Sequence, residues 1–163
     1  MTEHAGTTNP AAGFTLLELL VVVGIVGVIA AIAVGVLSEQ TEKAMVTAVA
    51  ADLRTFETGF VSYASDMGDF PPDSHLDGAY HLPAGAGVES YLPVQRWAAE
   101  TPLGGNYNWE GPDHYPYAGV SLFQPSAPAS TFALLDKTLD DGDLSQGKFR
   151  LGNNGRYTYI INE

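Results

Sequence analysis

The sequence has 163 residues, 19 acidic side chains against 7 basic ones, a formal net charge of −12 and no cysteine. Such a negative surface repels phosphate backbones, so we expect no nucleic acid among the partners. Disulfides are excluded, and the length suits one small domain beside any membrane segment.

The first element is an apolar run. From Phe14 to Leu37 there are 24 residues, and Glu18 is the only charged one. A helix of this length spans about 30 Å, the thickness of the hydrocarbon layer of a bilayer. A secretory signal peptide would have a shorter apolar core and a basic start. A plain single-span anchor with an accidental acid is the other alternative, but a carboxylate at this depth usually has a partner.

The start of this run resembles a known processing site. Gly13-Phe14-Thr15-Leu16-Leu17-Glu18, followed by about twenty apolar residues, is similar to the cleavage and methylation motif of type IV pilins and type II secretion pseudopilins. The resemblance implies a leader at 1–13, cleavage between Gly13 and Phe14, N-methylation of Phe14, and a role for Glu18 in assembly. The leader departs from the family, because residues 1–12 contain no Lys or Arg.

The helical pattern continues beyond the apolar run. Apolar residues recur at alternating spacings of three and four on one face, which predicts an amphipathic helix over 38–68. Gly68 is the expected C-terminal cap, and Pro71 and Pro72 prevent continuation. The predicted helix is about 53 residues long, and it resembles the long helix of pilins. The stripe consists of Val46, Val49, Leu53, Phe56, Phe60, Tyr63 and Met67. The charged residues of this segment are expected mostly off the stripe, namely Glu39, Glu42, Lys43, Asp52 and Glu57.

The sequence after residue 68 predicts short helices and strands joined by loops. Residues 69–95 are punctuated by prolines and glycines, with a short helix at 88–92. The run 101–105, TPLGG, predicts a turn entering a strand, and it resembles a segment of major pseudopilins. A strand at 115–123, a helix at 130–139 capped by Ser126 or Ser130, and a hairpin around 152–155 follow.

These elements predict an α+β fold. A long N-terminal helix, membrane-spanning in its first half at 14–37, packs on a small antiparallel sheet in a pilin-like head at 38–163.

One loop is a candidate metal site. Asp136, Asp140, Asp141 and Asp143 cluster around Gly142, and oxygen-rich acidic loops suit Ca²⁺. Major pseudopilins carry a calcium site in a late loop, so the resemblance also implies this ion. A solvated acidic turn is the alternative. His75, His81 and His114 are too scattered to predict a metal trio, and no catalytic motif is present, so we expect no enzyme activity.

By resemblance, the predicted function is that of a major pseudopilin of type II secretion. The partners would be copies of itself, other pseudopilins, the prepilin peptidase and methyltransferase, and an inner-membrane assembly platform. The chain would cross the inner membrane once, with its head in the periplasm. A type IV pilus or competence pilin is the alternative within the family. A membrane-tethered binding module or hydrolase is the alternative from another class.

Overall fold

The computed structural model describes residues 13–73, 82–83, 87–152 and 154–163. Its residues divide into two units, Met1–Gln40 and Thr41–Glu163. The predicted leader therefore lies outside the described residues except for Gly13, as do His75 and His81.

The first helix, α1, runs over Leu16–Met67 and confirms the predicted long helix. In the part of the first unit that the structure describes, residues 13–40, its apolar side chains are exposed all round, and no other described element of that unit covers them. The helix ends where glycine was expected: Gly68 has a φ of +89°, and its amide donates to the Ala64 carbonyl at 2.8 Å. A left-handed residue at this position stops a helix while satisfying its last carbonyls.

The second unit is an antiparallel sheet that packs against α1. The strands are β1 (Asn106–Glu110), β2 (Ala118–Phe123), β3 (Phe149–Leu151) and β4 (Tyr157–Asn162), in the spatial order β1-β2-β4-β3. The predicted hairpin is therefore β3–β4, with Phe149 opposite Tyr159. Besides the sheet there are a 3₁₀ turn at Val88–Ser90, a four-residue helix α2 (Val94–Trp97) and a helix α3 (Ala129–Leu139).

The apolar stripe of α1 forms one side of the core. Phe56 meets the edges of Trp97 and Tyr107, with ring centroids 5.0 and 4.8 Å apart, and Phe60 stacks on Trp109 at 3.8 Å. The stripe is buried as predicted except at its end, where Met67 is 53% exposed. Met67 occupies the last turn of the helix, beyond the reach of the sheet.

Two predictions of detail were wrong. Neither Ser126 nor Ser130 caps α3, because Pro128 occupies the N-cap position with no side-chain hydrogen bond. Asp52, expected off the stripe, is buried: it pairs with the Arg96 guanidinium at 2.8 Å and accepts a hydrogen bond from the Tyr107 hydroxyl at 2.7 Å.

The run 101–105 forms the predicted turn. Gly104 and Gly105 both have positive φ, +78° and +66°, and the turn closes through the Thr101 amide and the Gly105 carbonyl at 2.8 Å. A Cβ placed on Gly105 would lie 2.2 Å from the Phe123 carbonyl oxygen, so the turn abuts the end of β2.

We therefore expect Gly105→Ala to destabilise the head far more than Gly155→Ala. Gly155 has a similar φ of +76°, but a Cβ there would meet no atom within 4 Å. Its substitution should cost about 1 kcal/mol, the penalty of the left-handed backbone alone. Gly105→Ala should cost about 3 kcal/mol or more, because backbone must also move. Denaturant unfolding of the full chain in detergent, followed by tryptophan fluorescence, measures both; equal losses would contradict the close approach.

Candidate functional sites: the N-terminal motif and the acidic loop

The predicted cleavage site precedes the first helical turn. Gly13, Phe14 and Thr15 have no regular secondary structure, and α1 begins at Leu16. The Phe14 side chain is 85% exposed. The bond between Gly13 and Phe14 thus lies in an accessible, non-helical segment, the conformation in which a peptidase can bind its substrate.

Glu18 forms a reciprocal cap with Thr15. Its Oε2 accepts hydrogen bonds from the Thr15 amide and the Thr15 hydroxyl, both at 2.9 Å, and the Glu18 amide donates to the Thr15 Oγ1 at 3.2 Å. This is a capping box, which satisfies amides left unpaired at a helix start. Sequence reasoning singled out Glu18 but missed Thr15, although the Thr-x-x-Glu spacing is the signal for such a cap.

The helix that follows this cap is long and apolar enough to cross a membrane. None of its most apolar window is buried within the chain. An apolar surface of this length requires lipid or other apolar helices around it, since water contact costs about 25 cal/mol per Å².

The acidic loop brings three of its four predicted carboxylates together. Asp136 lies in the last turn of α3, Asp140 follows the helix as its C-cap, and Asp141 comes next. One carboxylate oxygen from each of these residues lies within 4.8 Å of the other two. Positions 136 and 140 are one helical turn apart, which places the first two on the same side.

Asp136 is fully buried at 0% exposure, and neither of its carboxylate oxygens accepts a hydrogen bond of ordinary geometry. Burial raises the pKa of Asp136 to about 6, and the neighbouring charges of Asp141 and Asp140 add to the rise. The Gly142 amide offsets only part of this shift. A buried, unpartnered carboxylate among like charges is unfavourable unless it is protonated or binds a cation.

The remaining carboxylate shapes the loop. Asp143 accepts hydrogen bonds from the Ser145 hydroxyl at 2.6 Å and the Ser145 amide at 3.1 Å, and these bonds lower its pKa. The Asp143 amide donates to Asp141 at 2.8 Å. Asp140 also accepts a hydrogen bond from the Lys148 amide. The loop backbone therefore orients two of the three converging carboxylates.

Comparison with known proteins bears on the N-terminal motif and on the fold. A family model described as the prokaryotic N-terminal methylation motif matches residues 8–34. The solved structure of the major type IV pilin PilA1 from Clostridium difficile is similar, with a TM-score of 0.54 and 16% identity over 75% of this chain and 97% of that chain. No curated protein sequence matches significantly. The chain has a prokaryotic N-terminal methylation motif and a type IV pilin-like fold.

The structural similarity confirms the predicted α+β, pilin-like fold. At 16% identity the likeness to PilA1 establishes the architecture, a long N-terminal helix packed on a four-stranded antiparallel sheet. A prepilin-type motif on such a fold is that of a structural subunit, not of an enzyme. The pilin-like chain thus combines two sites: a processing motif in its first unit and an acidic loop in its second.

The buried Asp136 makes the stability of the pilin-like head depend on pH. Its folded-state pKa of about 6 lies above the ordinary 3.8, so the folded state binds more protons between these values. In metal-free buffer, lowering the pH from 7.5 to 5 should therefore stabilise the head through this group, by about 1–2 kcal/mol after solvent screening. The D136N variant should lack this component. The test is denaturant unfolding of both proteins with EDTA across this range; parallel pH curves would contradict the assignment.

Proposed function

We propose that this pilin-like chain is a structural subunit of a type II secretion pseudopilus. The carrying observation is the accessible Gly13–Phe14 bond placed directly before an exposed apolar helix whose lone acid, Glu18, caps its first turn. The prepilin peptidase would cleave this bond and methylate Phe14. The subunit would wait in the inner membrane with its head in the periplasm, and an assembly platform would insert it among copies of itself and other pseudopilins.

In the filament, Glu18 would pair with the Phe14 amine of a neighbouring subunit. Each charge alone would cost several kcal/mol in an apolar bundle. The pair relieves that cost only when neighbouring helices are aligned so that the two charges meet, which favours one axial register. The exposed apolar helices would bundle, and the acidic heads would form the surface.

Two features support secretion over adhesion or motility. The sequence at 101–105 resembles a segment of major pseudopilins, and the acidic loop after α3 resembles their late calcium-binding loop in its position along the chain. A subunit of a type IV pilus is the second candidate, because the similar structure of PilA1 is that of a major type IV pilin.

The defining experiment compares strains with and without this chain. Deletion should abolish export of secreted proteins to the medium while leaving surface pili intact, and the wild-type chain should restore export. Purified mature chain should begin at methylated Phe14 by mass spectrometry. Loss of pili with export intact would assign the chain to a type IV pilus instead, and a chain beginning at Met1 would exclude both.

Glu18→Ala should process normally but fail to enter sheared filaments, because the register pair is lost. Glu39→Ala removes an acid from the same helix outside the apolar run and serves as the matched control, which should assemble as wild type. Immunoblots of sheared filaments and of membranes measure both. Equal incorporation of the two variants would show that Glu18 sets no register.

We also propose that the acidic loop binds Ca²⁺ through Asp136, Asp140 and Asp141. Carboxylates are the hard ligands this ion prefers, and three of them can provide up to six oxygens, with backbone carbonyls and water completing the shell. A cation would compensate the buried charge of Asp136, whose carboxylate oxygens accept no hydrogen bond of ordinary geometry. The Asp143–Ser145 bonds would hold the loop in shape, so Asp143 supports the site whether or not it also binds the ion.

Calcium should raise the melting temperature of the full chain by several degrees, as binding at a hundredfold excess over Kd contributes about 2.7 kcal/mol. The D136N variant should be at least as stable as wild type at pH 7 without metal, because a buried charge is removed, yet gain nothing from Ca²⁺. Asp69→Asn removes an equal charge outside the loop and should keep the full calcium response. Thermal melts with EDTA, Ca²⁺ or Mg²⁺ decide; an unchanged wild-type midpoint would favour the solvated turn.

A further inference from the structure

A groove in the head lies outside both sites described above. It runs between the segment 115–117, which links β1 to β2, and the β3–β4 hairpin, and it has a volume of about 640 Å³. This is within the range of small-molecule sites, which span about 300–1,000 Å³. The groove belongs entirely to the second unit, so its walls are set by the sheet.

One wall is aromatic. Tyr115 and Tyr117 are both half-buried, and their rings stack with centroids 5.7 Å apart and an angle of 22° between the planes. The Arg150 guanidinium lies 5.8 Å from the Tyr117 ring centroid. Tyrosine offers a flat apolar face beside a polar edge at a low entropic cost, and for this reason it is common in recognition surfaces.

A buried carboxylate fixes this wall. Glu110 is 0% exposed, and it accepts hydrogen bonds from the Tyr117 hydroxyl and from the Asn154 amide, each at 2.8 Å. Thr158 donates to the same carboxylate at 3.1 Å. Asn154 also hydrogen-bonds the Tyr115 hydroxyl, an interaction that lowers the pKa of Tyr115 against the larger rise caused by burial. Both tyrosines and Asn154 are thereby preorganised, and little ordering would accompany binding.

The charges around the groove disfavour an anionic ligand. Among the described residues that line the groove, Arg150 alone is charged. Its guanidinium is already paired with Glu163 at 2.7 Å, so its charge is largely compensated. Ser145, which also lines the groove, lies two residues after Asp143 of the acidic loop. The walls therefore suit an uncharged ligand with one apolar face and several hydroxyl groups.

We propose that this groove binds a neutral saccharide, with a pyranose ring against Tyr115 and Tyr117 and with its hydroxyl groups directed to Asn154, Ser145 and Arg150. The carbon-bound hydrogens of a pyranose form an apolar face that matches an aromatic ring. Its hydroxyl groups both donate and accept. The Ser145 hydroxyl, which donates to Asp143, and the Asn154 carbonyl oxygen, which accepts one bond from the Arg156 amide, each keep a free lone pair as acceptors. The Arg150 guanidinium has several donors besides the one directed to Glu163. The proposal does not depend on the secretion or pilus assignment.

The test uses the full chain in lipid nanodiscs and four neutral disaccharides: maltose, lactose, mannobiose and diacetylchitobiose. At least one should bind with a Kd in the millimolar range or below, as measured by titration calorimetry. Tyr115→Ala should weaken that binding about tenfold or more, which corresponds to the loss of one stacking contact. Tyr115→Phe keeps the ring and should retain most of the affinity.

Tyr91→Ala is the matched control. Tyr91 is also half-buried and also donates its hydroxyl to a carboxylate, Asp66, at 2.9 Å, but it lies outside the groove. Binding should be unchanged in this variant, and near-ultraviolet circular dichroism checks that each variant is folded. Absence of saturable binding up to about 50 mM for all four sugars would overturn the proposal. Equal affinity of Tyr115→Ala and wild type, or tighter binding of a sulfated heparin fragment, would overturn it as well.

Discussion

The constraint on which this structure depends is that one helix carries two kinds of apolar surface. Over 16–37, α1 is apolar on every side, so no single face can be matched to a sheet and only an apolar surrounding satisfies it. Over 46–63 the apolar residues occupy one face, which a sheet of four strands can cover. The sequence therefore divides the same helix between an environment that the chain does not supply and a core that it builds itself.

The buried carboxylates of the head also fall into two groups, those that the fold compensates and one that it does not. Asp52 has the Arg96 guanidinium and the Tyr107 hydroxyl as partners, and Glu110 is surrounded by donors from three strands and turns. Both are compensated within the fold, so they hold neighbouring elements together at little net cost. Asp136 has like charges beside it, and neither of its carboxylate oxygens accepts a hydrogen bond of ordinary geometry. Because of that contrast, Asp136 is the buried carboxylate at which we propose a bound cation.

Local patterns were sufficient to predict α1, α3 and the hairpin, but not the four-residue helix α2. The three-four stripe predicted the buried face of α1, and the turn residues of 152–155 predicted β3–β4, because both signals lie within a few residues of sequence. Sheet order was not predictable, since β4 lies between β2 and β3 through pairings that link distant segments. The burial of Asp52 was missed because its partners, Arg96 and Tyr107, are 44 and 55 residues away.

The same limit applies to the sites, since contacts between residues close in sequence were predictable and contacts between distant segments were not. Asp136 and Asp140 could be paired from sequence, being one turn apart on α3, whereas the separate role of Asp143 depends on the conformation of the loop. The organising function of Glu110 had no sequence signal, because its partners lie in the β1–β2 link, the hairpin turn and β4, which meet only when the sheet is assembled. These partners are Tyr117, Asn154 and Thr158.

The cap at Thr15 changes how the lone acid of the apolar run is understood. A carboxylate has two oxygens and about four lone-pair sites. Both hydrogen bonds from Thr15 fall on Oε2 of Glu18, so the cap uses one side of the group. Local capping and pairing with the amine of a neighbouring Phe14 are then compatible rather than alternatives. Thr15 would hold the carboxylate in one rotamer before assembly, and a neighbour's amine would meet an acceptor already fixed in place rather than a mobile side chain.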